Sequence, residues 1–443
     1  MSNSEQRHTT NRQPIASATQ MPRYVFLTDA PPRSEGHGCE VLAYRFLEFF
    51  PASMRLTITR RLHRSVSAAA IRGGVGVPTL VYPGLLASVP AWAEIIKSLL
   101  NLLLLSVWLP VRLPKKRLSG CNRLFVFFGG NGWFLFHAAL VRKYVGLPMD
   151  VYLVDDLEES SRLAGRNFAA RVFRWAEPRL LKKADRVFAI SPGYCTHLMR
   201  KYGVSAEWLP IAVQAGPLLY ASYSPAEPDV RSITFLGGVN ELYLGALRDL
   251  LTIIREWNAS PSSAFRLRLL LLSYSSPRHL GRDLGDSPDV RLERTLSAAA
   301  RRERLRGSWA VFIPYSFEPK VRLMVSTSFP SKLAEAFSGG RPLLVHGPAE
   351  ASLPRYFSAH NLPLCTSTLG ELKTAVRDIE LHDRPDLIGS YDRLAREVHG
   401  PAALEKRLKA ACGEDSQSDQ DEAGEATAGN ARRKLRGSDV SAL

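Results

Sequence analysis

The sequence predicts an α/β protein made of two Rossmann-like doubly wound domains, with disordered N- and C-terminal tails. Three observations lead there. Short runs of Val, Phe, Leu and Tyr alternate with helical stretches, as in βα units on a parallel sheet. The alternation occurs twice, on either side of a stretch rich in Pro, Ser and Gly. The composition is that of a globular chain, with 45% hydrophobic and 23% charged residues. This excludes a mostly disordered, collagen-like or coiled-coil protein. A chain of 443 residues is also too long for one core, at about 150 residues per domain.

Residues 1–20 are polar and read as a disordered leader without the apolar core of a secretory signal. The domain at 21–213 has expected strands at 24–27, 79–82, 124–128, 151–154 and 186–190. Each ends in a turn signal, among them Asp29-Ala30-Pro31-Pro32, Gly129-Gly130-Asn131-Gly132 and Ser191-Pro192-Gly193. Helices are expected between them, for example at 39–50 and 168–183. Residues 214–229, with Gly216-Pro217, Ser224-Pro225 and Pro228, read as a linker. The domain at 230–411 has expected strands at 233–236, 267–272, 290–292, 311–314 and 343–345. Residues 412–443 are rich in Glu, Asp, Ser, Gln, Gly and Ala, and cannot bury enough surface to order themselves. In doubly wound sheets ligands sit beyond the carboxyl ends of the strands. With two such domains the natural site is the cleft between them.

Residues 91–111, AWAEIIKSLLNLLLLSVWLPV, stand apart. Glu94, Lys97 and Asn101 share one helical face, Leu, Ile and Trp cover the rest, and Pro110 ends the run. The segment fits a strongly buried core helix, an interfacial helix that dips into a bilayer, or a true transmembrane span. Lys115, Lys116 and Arg117 follow it and suit anionic headgroups.

The net charge of +16, from 58 Lys+Arg and 42 Asp+Glu, favours an anionic partner: nucleic acid, a phosphate-bearing molecule or an acidic membrane. The basic runs Arg301–Arg306 and Arg60-Arg61 lack the interleaved aromatics of single-strand binders, so no nucleic-acid partner is expected. The five cysteines have neither CxxC pairing nor zinc-ligand spacing. Gly129–Gly132 has no following GK[ST] and is no Walker A loop.

Chemistry concentrates in 312–348, FIPYSFEPKVRLMVSTSFPSKLAEAFSGGRPLLVHGP. Ser328 reads as the cap of a helix with Pro330 in its first turn. The free N–H groups at such a start attract phosphate. Ser331 and Lys332 lie at that start. Glu335, one turn later, can accept hydrogen bonds from a ribose diol. The same spacing also makes a plain surface Lys–Glu pair.

PSKLAEAFSGGRPLLV resembles the nucleotide-binding helix of GT-B glycosyltransferases, especially glycosyltransferase family 4 (group 1). Phe235-Leu236-Gly237-Gly238 is similar to the glycine loop opening that family's C-terminal domain. Ala184–Ser191 looks like its "aD-x-v-x-x-x-S" strand, Glu177 stands where the family often has a Glu, and Asp29–Gly38 is similar to its first glycine loop. The pieces occur in family order over about 21–400. The resemblance implies the GT-B arrangement, two domains facing each other. It implies a nucleotide-sugar donor bound through Gly237, Gly238, Ser331, Lys332 and Glu335, no metal or other cofactor, and retention of configuration. It also places Gly36, His37 and Gly38 at the acceptor or diphosphate, where a plain flexible turn is the alternative. Asp155 is then the expected contact to the transferred sugar or acceptor. A helix cap for the segment starting at Glu158 is its alternative. His137 reads as a satisfied core histidine or a cleft residue.

Two positions depart from the family's pattern. Thr327 stands where the first of two glutamates is usual, and no basic residue follows the glycine loop until Arg248. The expected function is a cytoplasmic glycosyltransferase acting on a polysaccharide or lipid-linked acceptor, with the inner face of the cell membrane as the alternative place of work. Its rivals are a nucleotide-sugar 2-epimerase and a non-catalytic GT-B-like assembly protein bound to a partner or a membrane.

Overall fold

The computed structural model describes residues 22–33, 38–50, 53–60, 76–82, 93–213, 223, 227–273, 277–294 and 297–410. The expected leader, the expected tail and most of the expected linker lie outside these. Arg23–Leu404 forms one compact body.

Two parallel sheets organise that body. The first contains β1 (Tyr24–Thr28), β2 (Met54–Arg60), β3 (Thr79–Tyr82), β4 (Arg123–Phe128), β5 (Met149–Leu153), β6 (Arg186–Ala189) and β7 (Glu207–Trp208). Its order is β3-β2-β1-β4-β5-β6-β7. Its helices are α1 (Gly38–Phe49), α2 (Glu94–Arg112), α3 (Phe134–Val145), α4 (Leu157–Leu163), α5 (Asn167–Leu181) and α6 (Pro192–Tyr202). The second contains β8 (Val230–Leu236), β9 (Arg266–Leu272), β10 (Val290–Glu293), β11 (Ala310–Pro314), β12 (Leu343–His346) and β13 (Cys365–Thr366). Its order, β10-β9-β8-β11-β12-β13, repeats the first pattern. With it come α7 (Glu241–Ala259), α8 (Pro277–Gly285), α9 (Ala298–Arg306), α10 (Arg322–Thr327), α11 (Leu333–Ser338), α12 (Ser352–Ala359), α13 (Leu369–Arg377), α14 (Pro385–Glu397) and α15 (Pro401–Ala410). Each order reverses at one point, between β1 and β4 and between β8 and β11. Crevices for ligands open there, beyond the strand ends.

Burial on both faces explains why the central strands read as apolar runs: every residue of β1, β5, β6, β11 and β12 is buried. β2, MRLTITR, escapes that reading. Thr57 and Thr59 are buried where Val or Phe would be expected, and Arg55 is exposed. β7 and β13 are only two residues each.

Packing sets the first crevice. Phe46 of α1 lies 5.7 Å from Phe125, 5.9 Å from Phe127 and 5.2 Å from Tyr152, ring centroid to centroid. Such aromatic pairs add about 0.5–1.5 kcal/mol each beyond burial. They pin α1 across β4 and β5, with its first residue at the crevice. At the other end of the sheet, Asp150 of β5 is fully buried. It accepts from Arg186 of β6 and from Arg123 of β4, Nε to Oδ2 at 3.0 Å. Arg186 Nη2 also donates to Tyr24 Oη at 2.8 Å. One buried carboxylate therefore fastens three strands, and Arg186 extends the network to β1.

The two halves meet through small residues at the crevice. A Cβ on Gly38 would stand 2.8 Å from Ser331 Oγ, and one on Gly193 2.2 Å from Ser326 O. Ser191 Oγ donates to Thr327 O at 2.5 Å. Elsewhere the joint is aromatic. His399, between α14 and α15, is buried. Its Nδ1 is 2.9 Å from Ile211 O, its Nε2 is 2.9 Å from Tyr356 Oη, and the Trp208 and Tyr356 rings meet edge to face at 6.3 Å.

The structure corrects two local readings. Pro110 lies inside α2, which continues to Arg112. The helix expected to start near Ser328 begins at Leu333. Ser328 instead ends α10, and Pro330–Lys332 form a turn leading into α11.

α2 also corrects the core-helix alternative. Only Asn101, Leu105 and Leu109 are buried along it. Leu99, Leu103, Val107 and Val111 are 61–70% exposed, with Ile96, Leu100 and Leu104 beside them. The face with Glu94, Lys97 and Asn101 turns toward the protein together with Leu105 and Leu109, and a broad apolar side faces out, unlike the usual amphipathic helix. α2 is long and apolar enough to cross a membrane by length and composition.

Candidate active site

The second crevice is built around Lys332. β8 is followed by Gly237, whose φ of +128° suits only glycine. A Cβ there would lie 1.3 Å from Lys332 Nζ, so the bare backbone makes the notch that the lysine occupies. The ammonium sits 5.3 Å from the centroids of both Phe235 and Tyr243, a cation–π arrangement. Burial lowers it to about 8, against the opposing charge of Glu335. Gly238 follows in the same loop. Asn240 then caps α7, its side chain accepting from Leu242 N–H at 3.0 Å.

Glu335 does not pair with Lys332. Its carboxylate accepts from Arg301 Nε of α9 at 3.1 Å and faces Arg45 Nη2 of α1 at 3.7 Å. Arg45 thus reaches from the first half to the second. Sequence reasoning missed both arginines. Arg301 lies in a run that reads as a solvated face, and nothing marks Arg45 within an ordinary amphipathic helix.

Asp155 and Asp156 divide the two roles expected of one residue. Asp156 is the helix cap, accepting from Glu159 N–H at 2.8 Å. It also binds His197 Nε2 at 2.9 Å and Lys201 Nζ at 2.8 Å. Burial alone would raise it, but these partners take it down to about 2. Asp155 makes no side-chain hydrogen bond or ion pair among the described residues. Burial, with the charge of Asp156, raises it to about 6. Its charge is felt at Cys39 in α1 and at Tyr315 just after β11, so it lies where the halves face each other. Glu177 is buried against α6, accepts from Tyr202 Oη at 2.9 Å, and is pushed by burial to about 8.

An acid held high in the folded state binds its proton more tightly there than when unfolded. Ionised Asp155 therefore opposes folding above pH 6 and is neutral in both states well below 3.8. Asp155→Asn should stabilise the protein by about 1–3 kcal/mol at pH 8, with the gain shrinking as pH falls through 6 and vanishing well below 3.8. Equal melting of variant and wild type at pH 8 would show that the carboxylate is not under strain.

Of the expected site residues, the structure gathers Gly38, Ser331, Lys332, Gly237, Gly238 and Asp155 around one crevice. Glu335 is one turn deeper. Gly36 and His37 lie outside the described residues. Thr327 is buried within α10, its hydroxyl donating to Leu323 O at 3.0 Å. His137 is a core residue, its Nδ1 2.9 Å from Tyr82 Oη.

In the first half a cavity of about 290 Å³ opens at the β1/β4 reversal, over Asp29, Gly129–Gly132, Trp133 and Phe173. Asp29 shapes its floor, accepting from Gly129 N–H at 2.6 Å and Asn131 N–H at 2.9 Å. A Cβ on Gly132 would fall 2.3 Å from the Phe173 ring. The glycine-rich loop, no phosphate loop by motif, is the wall of this cavity. Its place after β4, at the sheet's reversal, is the signal that marks it.

Two facing doubly wound sheets of this order, each with a crevice at its reversal, define the GT-B fold, and this chain has it. The lipopolysaccharide outer core galactosyltransferase WaaB in its apo form matches with a TM-score of 0.54 at 14% identity, over 88% of this chain and 99% of that one. Sucrose-phosphate synthase from Thermosynechococcus elongatus matches at 0.60 and 13%, over 88% and 98%. An α,α-trehalose-phosphate synthase (UDP-forming) from Burkholderia xenovorans, solved with glucose-6-phosphate, matches at 0.60 and 10%, over 88% and 100%. No family model and no curated protein sequence matches the chain.

Proposed function

We propose that this protein is a glycosyltransferase that moves a sugar from a nucleotide-diphosphate donor, held by the second half, to a polysaccharide or lipid-linked acceptor in the first, with retention. The observation that carries the reading is Lys332, set into the Gly237 notch at the reversal of the second sheet, next to Ser331, which stands against Gly38 of the first half. Breaking the bond to a nucleoside diphosphate leaves negative charge on that group, and a fixed cation at the site of the developing charge lowers the barrier. Arg45 and Arg301, held near Lys332 by Glu335, add positive charge that the glycine loop lacks. Asp155, whose side chain makes no hydrogen bond or ion pair among the described residues, is the contact to the transferred sugar or the incoming hydroxyl in this reading. In this reading the enzyme is cytoplasmic and works at the inner face of the cell membrane, with the outward apolar side of α2 as its membrane contact.

Thermal melts with a panel of nucleoside diphosphates test the donor half of the proposal. A true ligand at a hundred times its dissociation constant adds about 2.7 kcal/mol. No shift with any nucleotide would end the glycosyltransferase reading. If Glu335 holds the ribose, Glu335→Ala should weaken nucleotide binding by about 1.5–3 kcal/mol in calorimetry. Unchanged affinity would remove Glu335 from the site and leave it as the clasp between Arg45 and Arg301.

A further inference from the structure

Residues 95–149 contain no Asp or Glu, and between 160 and 184 the only acid is Glu177, which is buried. These two stretches hold nearly all of α2, α3 and α5. The three helices lead from β3 to β4, from β4 to β5 and from β5 to β6, always in the same direction along the sheet. Right-handed crossovers then place them on one face, and α3 packs between α2 and α5. The acid at the start of α2, Glu94, is 3.5 Å from Arg166. Beyond it, the outer side of this layer carries no exposed carboxylate along the three helices.

Each helix runs back against its strands, so the last turns meet at the sheet end away from the crevice. Tyr144 Oη donates there to Leu113 O at 2.9 Å, and Asp185 N–H to Met149 O at 2.8 Å. Lys115, Lys116 and Arg117 follow α2, Lys143 lies in the last turn of α3, and Lys182 and Lys183 follow α5. All six are exposed, and none has an ion pair among the described residues. The acid beside the last two, Asp185, accepts from Met149 N–H at 2.6 Å. A basic rim thus closes one end of the layer.

The outward strip of α5 is Phe168, Arg171, Trp175 and Arg179, spaced by three or four residues. Phe168 is 58% and Trp175 57% exposed. Arg179 lies over the Trp175 ring, 4.1 Å from its centroid, and donates to Trp175 O at 2.6 Å. A large ring with a cation stacked on it suits the boundary between acyl chains and headgroups. With α3 between them, the strips of α2 and α5 stand about 20 Å apart at 8–10 Å per helix. An anionic bilayer offers apolar chains and phosphates over any such span.

We propose that α5 is a second membrane-contact element, so that the whole outer side of the α2, α3 and α5 layer rests on an anionic bilayer. The leucines of α2 enter the acyl chains, Trp175 and Phe168 sit at the headgroup boundary, and the basic rim meets lipid phosphates. This extends the membrane contact of α2 and does not depend on sugar transfer.

Fluorescence of Trp175 tests it, read as the difference between the full chain and its Trp175→Phe variant. The vesicles are phosphatidylcholine alone or mixed with phosphatidylglycerol, brominated on the acyl chains close to the headgroup. Trp175 emission should be quenched on the mixed vesicles. In flotation, Lys182→Gln with Lys183→Gln should lower affinity for the mixed vesicles roughly tenfold and leave that for pure phosphatidylcholine unchanged. Unquenched Trp175 on protein that floats would overturn the proposal and leave α2 as the contact. So would equal wild-type affinity for the two kinds of vesicle, or full affinity in the double-lysine variant. A lipid-free dimer that Phe168→Ser with Trp175→Ser dissolves would assign the face to a second copy instead. Binding to neither vesicle would end the α2 contact as well. Nucleotide-induced melting shifts, measured without lipid, report the glycosyltransferase reading separately.

Discussion

Replacing Lys332 with alanine should lower sugar transfer by about 10²–10³-fold, the range seen when one preorganised group opposing transition-state charge is removed. Gly237→Ala should have a comparable effect without touching a charge. Its Cβ would fall 1.3 Å from Lys332 Nζ at a backbone φ of +128°, so the lysine must leave its notch. Lys332→Arg should not restore activity, since a planar guanidinium cannot replace a compact ammonium between Phe235 and Tyr243. The pH dependence follows from burial, which brings the ammonium to about 8 in the free protein. A diphosphate favours the charged form, so nucleotide affinity should hold below pH 8 and fall above it as the free lysine loses its proton. Wild-type turnover in the Gly237→Ala variant, or affinity flat from pH 7 to 9.5 by calorimetry (a span of roughly 2.5 units about the lysine's value), would break the link between this cation and the donor.

The largest effect on stability should come from Asp150, far from the crevice. Asp150→Ala leaves the Arg186 guanidinium buried without its counter-charge, a change of the kind that removes about 3–5 kcal/mol. Urea unfolding of the isolated variant measures this directly. Asp150→Leu with Arg186→Met should recover much of the loss, because apolar groups of similar volume often replace a buried pair at little net change. The two arginines hold Asp150 below the ordinary carboxylate value despite its burial. Its stabilisation is therefore complete above the unfolded value of 3.8 and is lost as pH falls through the lower folded one. A loss under about 1 kcal/mol in Asp150→Ala would mean that water or a shifted strand rescues the arginines.

Most of the fold was legible because burial on both faces makes a parallel strand a continuous apolar word. Residues 124–128 and 311–314 read plainly for that reason, whereas β2 hid behind Thr57 and Thr59. Lys332 was legible because a short motif carries it next to a glycine-bounded helix. Arg45 was not, since a contact made 290 positions apart in the chain leaves no local trace. The doublet Asp155-Asp156 showed that acidic groups end β5, but only the bonds to Glu159, His197 and Lys201 show which of them caps the helix and which is left for the crevice. Periodicity likewise gathers Glu94, Lys97 and Asn101 on one side of α2. It does not tell whether that side looks toward the protein or away from it, and here the polar side looks in.

The halves are fastened unequally. On one flank they touch through bare glycine and serine, Gly38 to Ser331 and Gly193 to Ser326. On the other, Trp208, Tyr356 and His399 interlock. Parting the first costs the Ser191–Thr327 hydrogen bond and the Arg45–Glu335 ion pair, while parting the second would unstack aromatic rings. The aromatic joint at His399 is thus the better packed seam, whereas the polar contacts around Gly38 and Ser331 are ones that water can replace, and any widening of the crevice is expected there.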